Sequence, residues 1–381
     1  MKKILICILC VISLLALGAC GGKDSGEADS QAAAQSQDAV ESENAAADAA
    51  QTEGPETDTL AESEEAEPEE SADSEGQVHV ISEGPAIRIG SLKGPTSMGL
   101  VSLMDQNQKG ENLQSYDFTM VTAADELVAA ISNGEVDIAL VPANVASVLY
   151  NKTQGGVTVL DINTLGVLYI VESGDSIQSV SDLKGKTLYL TGKGTTPDYA
   201  LQYVLAQNGL TTDDVTLEYK SEATEVAAVL ANDENAIGLL PQPFVTVACT
   251  QNEKLHIALD LTEEWDKAQG EGGSQLVTGV TIVRNEFLSG NEDVVRTFLE
   301  ESKESVDFTN NNPEEAAQLI AGLGIVEKAE IAKQAIPYCN ITYIDGEDMK
   351  TALGGYLSVL FEQAPQSVGG ELPGDDFYYI G

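Results

Sequence analysis

Two short segments carry polar side chains directly after a predicted strand and before a predicted helix. The first loop, Lys93–Ser97, reads Lys-Gly-Pro-Thr-Ser, and the second loop, Lys193–Pro197, reads Lys-Gly-Thr-Thr-Pro. Hydroxyl groups and the free N–H groups of a first helical turn are donors that favour an anionic or carbonyl oxygen. The two loops therefore predict a small-molecule binding site, although each Thr or Ser could equally be a plain helix cap.

Each loop joins a predicted strand to a predicted helix. The apolar pattern of Ile87–Leu92 indicates a buried strand, and apolar residues then recur at helical spacing over Met98–Met104. The second loop lies between a strand at Lys186–Leu190 and a helix at Thr196–Asn208. In an open α/β sheet such loops lie at the carboxyl ends of the strands, where ligands bind.

The surroundings of the two loops are duplicated. Residues 123–147 and residues 222–246 share one order: a helix that starts with acidic residues, a polar turn, an apolar strand, a proline and a second helix. The two prolines are Pro142 and Pro241. An internal duplication of this length predicts two equivalent lobes and is more specific than either loop alone.

The alternation of strands and helices predicts an α/β fold with two lobes, each a mainly parallel sheet flanked by helices. Two crossover strands would join the lobes and form a hinge. We assign the outward crossing to Val167–Glu172 and the return crossing to Leu276–Val283. The remaining chain is mostly helical and is expected to pack on the first lobe.

The composition is strongly acidic, with a formal net charge of −43. Gly21–Val78 holds 18 of the acidic residues against one lysine, and the remainder of the chain is acidic as well. Such a charge repels nucleic acid, so a DNA or RNA partner is excluded. Cys249 and Cys339 are too far apart for a disulfide framework or a CxxC metal site, and we interpret them as free thiols.

The N-terminal segment has the features of a secretory signal. Lys2 and Lys3 precede an apolar run that is shorter than the ~20 residues of a membrane span. Leu17–Cys20, with the sequence Leu-Gly-Ala-Cys, resembles the bacterial lipobox, in which the cysteine is acylated and becomes the mature N-terminus. We therefore predict lipidation of Cys20 and attachment to the extracytoplasmic face of the cell membrane by a lipid anchor alone.

The segment after Cys20 is rich in Ala, Glu, Ser, Gln and Asp and has almost no large apolar residue. It cannot bury enough apolar surface to offset chain entropy, so we predict a disordered tether. The predicted domains are a lipoprotein signal peptide at 1–20, an acidic tether at 21–85, the first part of lobe 1 at 86–171, lobe 2 at 172–275, and a return strand with C-terminal helices that complete lobe 1 at 276–381.

Over Ile87–Gln363 the chain resembles the extracytoplasmic solute-binding lipoproteins of bacterial ABC transporters, in the nitrate/sulfonate/taurine and thiamine-precursor branch. The resemblance rests mainly on Ser181–Leu188, with the sequence SDLKGKTL, and on the paired segments VDIALVP and AIGLLPQP. It implies a type II periplasmic-binding-protein-like fold and a monomer that binds a small-molecule ligand. It also implies two partners, an ABC permease and its ATPase. The loops lack the arginine that would clamp an oxyanion, so the ligand class does not transfer.

In open α/β sheets ligands bind at the carboxyl ends of the strands. This rule and the resemblance together place six loops in a cleft between the lobes. Their chemistry is neutral, with hydroxyl, amide and backbone N–H groups. The predicted ligand-binding residues are Gly94, Pro95, Thr96, Ser97, Ala143, Asn144, Gly166, Thr195, Thr196, Pro197, Gln242, Pro243, Thr278 and Gly279.

Five further side chains lie in or near these segments. Lys93 and Lys193 adjoin the glycines of the two loops, and lysines in such positions are more often solvated than ligand-bound. Tyr169, Tyr199 and Trp265 would suit a flat apolar ligand, but aromatic residues more often belong to the core.

An enzyme is the main alternative, because some relatives of this fold make thiamine-pyrimidine or menaquinone intermediates. The sequence offers only His79 and His256 as histidines and has no HExxH, GxSxG, P-loop or clustered metal-ligand pattern. We therefore predict no catalytic residue, no cofactor and no metal. An extracytoplasmic ligand sensor on the same fold stays a third hypothesis.

Overall fold

The computed structural model of the protein describes residues 85–270 and 273–381. The predicted signal peptide with Cys20, and the predicted tether up to residue 84, lie outside the described residues. Among the residues described, no helix is both long enough and apolar enough to span a bilayer.

The first part of the chain builds three strand–helix units and one long strand. β1 is buried at Ile87, Ile89 and Gly90 and leads through the first loop into a single helical turn. The elements are β1 (Ile87–Leu92), α1 (Pro95–Met98), α2 (Val101–Lys109), β2 (Tyr116–Val121), α3 (Ala124–Ser132), β3 (Ile138–Pro142), α4 (Ala143–Thr153) and β4 (Val157–Leu165).

The second part repeats this plan. Its helix after the second loop is a full twelve residues, whereas α1 has only four. The elements are β5 (Leu168–Glu172), β6 (Thr187–Leu190), α5 (Thr196–Gln207), β7 (Thr216–Tyr219), α6 (Ala223–Asn232), β8 (Ile237–Pro241), α7 (Phe244–Gln251), β9 (His256–Asp260) and α8 (Leu261–Gln269).

The third part returns to the first sheet and adds five helices and an edge strand. The long helix α10 packs on α2, and α13 packs on α4 and β4. The elements are β10 (Val277–Arg284), α9 (Asn285–Leu288), α10 (Glu292–Asn311), α11 (Pro313–Gly322), α12 (Ala329–Ala335), β11 (Ile341–Ile344) and α13 (Gly346–Gln363).

The strands form two sheets, one per lobe, which confirms the two-lobed α/β fold class. The first sheet has the order β11-β4-β10-β3-β1-β2, and the second has the order β7-β6-β8-β5-β9. In each sheet three strands are parallel, β2-β1-β3 and β7-β6-β8. The other pairings are antiparallel. The sheets are therefore mixed, because the strands next to the hinge enter each sheet from the opposite direction.

The chain crosses between the lobes differently from the sequence-based assignment. β5 lies wholly in the second sheet, so the outward crossing is the short link Gly166–Val167 rather than a strand. β10 lies wholly in the first sheet, whereas α8 packs on α5, β5 and β9 of lobe 2, so the return crossing lies between α8 and β10. The sequence analysis missed α8, although Asp260 caps it by accepting a hydrogen bond from the N–H of Thr262.

The apolar core continues from one lobe into the other. One cluster of buried side chains includes Val141 and Ala146 of lobe 1 as well as Leu188 and Leu201 of lobe 2. Trp265 of α8 belongs to the same cluster. The hinge is thus backed by packed apolar side chains, in addition to the two covalent crossings.

Candidate functional site

A cavity of about 290 Å³ lies where the strands of both sheets end, and we call it the interlobe cavity. Lobe 1 and the hinge contribute one part of its lining. The start of α5 and the end of β8 contribute the other part. Five of the predicted ligand-binding residues line it. The full lining is Ala124, Pro142, Asn144, Val145, Val167, Leu168, Thr195, Thr196, Pro197, Pro241 and Thr278.

The second loop contributes the polar part of the lining. The exposed Thr195 hydroxyl donates to the carbonyl oxygen of Gly192 at 2.6 Å, which holds the turn together. The half-buried Thr196 hydroxyl donates to Asn144 Oδ1 in the other lobe at 3.3 Å. Asn144 in turn donates from Nδ2 to the carbonyl oxygen of Ser367 at 3.3 Å. A chain of hydrogen bonds therefore already links the two lobes across the cavity.

A buried carboxylate fixes the start of α5. Asp198 is only 4% exposed, and its Oδ2 accepts a hydrogen bond from the Gly194 N–H at 2.7 Å. Its Oδ1 accepts from Gln202 Nε2 at 2.6 Å and from the Tyr219 hydroxyl at 2.7 Å. The glycine N–H that the sequence pattern offered to a ligand is thus engaged within the protein.

The first loop is turned inward. Thr96 is 7% exposed and donates to the carbonyl oxygen of Leu92 at 3.0 Å. Ser97 is fully buried; its hydroxyl donates to the same Leu92 carbonyl, and its Oγ lies 2.7 Å from Ser91 Oγ. Gly94 has φ 140°, a conformation that favours glycine and lets the chain make this turn. The structure keeps Gly94–Ser97 out of the cavity lining.

The remaining predicted residues surround the cavity without lining it. Gly166 accepts a hydrogen bond from Asn340 Nδ2 at 2.5 Å. Gln242 is buried, its Oε1 accepts from the Thr246 hydroxyl at 2.9 Å, and its Nε2 has no partner among the described residues. Ala143 is in the core, Pro243 is half-buried, and Gly279 is buried beneath the first loop.

The aromatic residues confirm the core interpretation for two of the three. Trp265 is fully buried between Tyr203 and Tyr356, with ring-centroid distances of 4.4 and 5.7 Å, and Tyr169 is 2% exposed. Tyr199 is half-buried and packs on the core. Neither predicted lysine lines the cavity: Lys93 is exposed, and the Lys193 ammonium lies 5.3 Å from the centroid of the Tyr219 ring.

No titratable side chain lines the interlobe cavity, so its lining offers no general acid or base. His256 is in β9 and borders a separate groove of about 530 Å³ between α7, β9 and Tyr338. We place the candidate site in the smaller cavity because strand ends of both sheets meet there. Among the residues that the structure describes, no three His, Cys, Asp or Glu side chains are grouped as a metal site.

Sequence reasoning missed the apolar part of the lining. Pro142 and Pro241 were recognised as matching strand ends but were not predicted to contact a ligand. Val145 lies one residue beyond the predicted Asn144, and Val167 and Leu168 follow the predicted Gly166. The duplicated prolines were the available signal, since both mark the carboxyl end of a strand that reaches the cavity.

The family model described as NMT1/THI5 like matches residues 155–316. A binding protein of Brucella abortus and one of Brucella suis are each 24% identical over 208 residues, which is 55% of this chain. The chain therefore spans only 61% of the length of these curated relatives.

Solved structures share the fold at low identity. An ABC transporter structure from Parabacteroides distasonis is 24% identical, with a TM-score of 0.65 over 77% of this chain and 98% of that chain. The periplasmic aliphatic sulphonate binding protein SsuA from Escherichia coli is 16% identical, with a TM-score of 0.62 over 78% of this chain and 92% of that chain. The chain therefore has the periplasmic binding protein fold, and part of it matches the NMT1/THI5-like family model.

Proposed function

We propose that this protein is the solute-binding component of an ABC importer. It captures a small molecule in the interlobe cavity and delivers it, as a monomer, to a permease and its ATPase. The observation that carries the proposal is the interlobe cavity, which is lined from both lobes at the ends of their strands. The shared fold with a periplasmic aliphatic sulphonate binding protein supports the same function.

Solute binding is tested by identifying the small molecule that the protein carries. Native mass spectrometry of the protein as isolated is expected to show a bound small molecule, and calorimetry with that molecule should give one site per chain. Deleting the gene should abolish its uptake by the cell. A protein that carries no small molecule, and whose deletion changes no uptake, would contradict a role in import.

The proposed anchor is the lipid on Cys20. The short apolar run, with Gly18 and Ala19 before the cysteine, supports cleavage and acylation there. Cys20→Ala should give an unlipidated protein that leaves the detergent phase. Cys7→Ala, within the signal peptide, is the matched control and should partition as the wild type does. Acyl chains on the Cys20→Ala protein would refute the anchor.

The lobes are proposed to move about the apolar contact beside Trp265. This side chain belongs to lobe 2, stacks on Tyr356 of lobe 1, and is the one tryptophan of the sequence. Its fluorescence is therefore a direct report of the lobe contact. Saturation with the co-purifying molecule should shift the emission if the lobes move there. An unchanged emission and an unchanged radius of gyration would argue for a rigid body.

A further inference from the structure

The lining of the interlobe cavity carries no charge. Seven of its side chains are apolar, and the other four are one amide and three threonines. A charged ligand placed here would lose its hydration without gaining a counter-charge, which is a large penalty in a closed site. The volume of about 290 Å³ is at the low end of the range for small-molecule pockets.

The arginines of the chain are all engaged elsewhere. The sequence has three, and two of them, Arg88 and Arg284, pair with Asp137 at 2.5 and 2.9 Å. Asp137 precedes the first residue of β3, whereas the cavity is at the last residue of that strand. Arg296 pairs with Asp293 on an exposed face of α10. No arginine is therefore placed to form a bidentate hydrogen-bonded contact with an oxyanion in the cavity.

A carboxylate of the protein itself already occupies the positive end of the α5 helix dipole. Thr195, Thr196 and Pro197 line the cavity, and the buried Asp198 carboxylate follows them directly. It complements the positive end of the helix dipole and takes up the Gly194 N–H. A second anion bound at this helix start would be repelled by this carboxylate.

Three of the four polar lining groups use a donor within the protein. The hydroxyl hydrogens of Thr195 and Thr196 go to Gly192 and Asn144, and the Asn144 amide reaches Ser367. A hydroxyl oxygen that donates its hydrogen still accepts through its lone pairs. Acceptor oxygens therefore face the cavity beside the Thr278 hydroxyl, and they suit a ligand that carries an N–H or O–H donor.

We propose that the interlobe cavity binds a small uncharged molecule with an apolar body and a hydrogen-bond donor, and that it rejects sulfonates and carboxylates. This inference rests on the proposed function, and it separates the chain from the sulphonate-binding protein whose fold it shares.

The test compares probes that differ only in charge. Benzamide is measured against benzoate and benzenesulfonate, and hexanamide against hexanoate, by calorimetry on the full chain at fixed ionic strength. Each amide is expected to bind at least ~10-fold more tightly than its anions, since an unpaired or like charge in such a site costs several kcal/mol. Anions that bind as tightly as the amides would overturn the inference.

A charge introduced into the cavity provides the matched control. Thr278→Arg should reverse the preference and favour benzoate over benzamide by about tenfold, whereas Thr278→Gln, which is long but neutral, should keep the wild-type order. If Thr278→Arg leaves the order unchanged, the probes bind elsewhere and the assignment to this cavity fails.

The co-purifying molecule separates failure of the inference from failure of the proposed function. A neutral molecule in the native mass spectrum supports both. A sulfonate or carboxylate overturns the ligand class but leaves solute binding in place. If no molecule co-purifies and neither probe series binds, both proposals fail.

Discussion

The two lobes share one plan but use their equivalent positions differently. Pro142 and Pro241 end equivalent strands, and they pair with Gly279 and Leu168 of the neighbouring antiparallel strands. In lobe 1 the glycine lets Thr96 pack directly above the strand. In lobe 2 the leucine fills that space and lines the interlobe cavity. The two equivalent pairs therefore differ together with the loops: Thr96 of the buried first loop lies against Gly279, and the second loop faces the cavity that Leu168 lines.

The equivalent strands of the two lobes differ at a second position, deeper in the sheets. Asp161 pairs with Thr281 in lobe 1, and the equivalent pair in lobe 2 is Leu259 with Ile170. A register shift follows each pair directly, so even the strand irregularity is duplicated. Lobe 1 therefore carries a buried carboxyl group where lobe 2 has an apolar contact.

The largest expected effect comes from this buried carboxyl group. Burial raises the pKa of Asp161 to about 7. The Thr281 hydroxyl, which donates to one carboxyl oxygen at 3.0 Å, opposes this shift only in part, and the other oxygen has no partner among the described residues. The folded state then holds the proton more tightly than the unfolded state. The contribution of Asp161 to stability should therefore be largest below about pH 4, fall as the pH rises to about 7, and stay level above that.

Asp161→Asn should remove this pH dependence and stabilise the protein at pH 8 by on the order of 4 kcal/mol, the equivalent of about three pKa units. Denaturant unfolding at several pH values measures it. Asp117→Asn, on the exposed edge strand β2, is the control and should leave the profile as it is. A profile that keeps its slope in Asp161→Asn would assign the pH dependence to other groups.

The next effect concerns the glycine beneath the first loop. A Cβ at Gly279 would lie 2.5 Å from Asn163 Oδ1 and 2.6 Å from Thr96 Cγ2. Gly279→Ala should therefore cost about 1–3 kcal/mol of stability. Thr96→Ser, which removes that methyl group, should recover part of the loss in the double variant. If the effects of the two substitutions on stability are additive, the contact between Thr96 and residue 279 is not the cause of the loss.

A smaller effect is expected at the second loop, and it should appear in binding. Thr196→Val removes the hydroxyl that links α5 to Asn144 across the cavity. A neutral hydrogen bond contributes about 0.5–1.5 kcal/mol, so affinity for the co-purifying molecule should fall roughly twofold to tenfold with little change in melting temperature. Unchanged affinity with a lowered melting temperature would show that the bond from Thr196 to Asn144 serves stability alone.

The smallest effect is expected at the equivalent threonine of the first loop. Thr96→Val loses the bond to the Leu92 carbonyl, to which Ser97 also donates. Stability should fall by about 1 kcal/mol, and affinity should be that of the wild type. A loss of affinity comparable to that of Thr196→Val would instead support the sequence-based prediction that both loops contact the ligand.

The sequence predicted the fold class and about half of the cavity lining. Strand–loop–helix units, the duplicated 25-residue pattern and the matching prolines are all local or repetitive features, and those are the features that periodicity detects. The missed elements, α8 and β11, are short, and the first follows a strand without a turn signal. The apolar lining was missed because a valine or leucine at a strand end has the same sequence signature whether it faces a core or a cavity.

The sequence by itself determined that two equivalent lobes exist, because hydrophobic spacing fixes each element and repetition fixes their order. Only the tertiary structure decided that the loops are not equivalent. Both read Lys-Gly-x-Thr, but the first lies against Gly279 and the second faces the cavity beside Leu168, two residues that are distant from the loops in sequence and opposite equivalent prolines in space. The direction a threonine hydroxyl takes depends on what lies beneath it, and a local pattern carries no information about that neighbour.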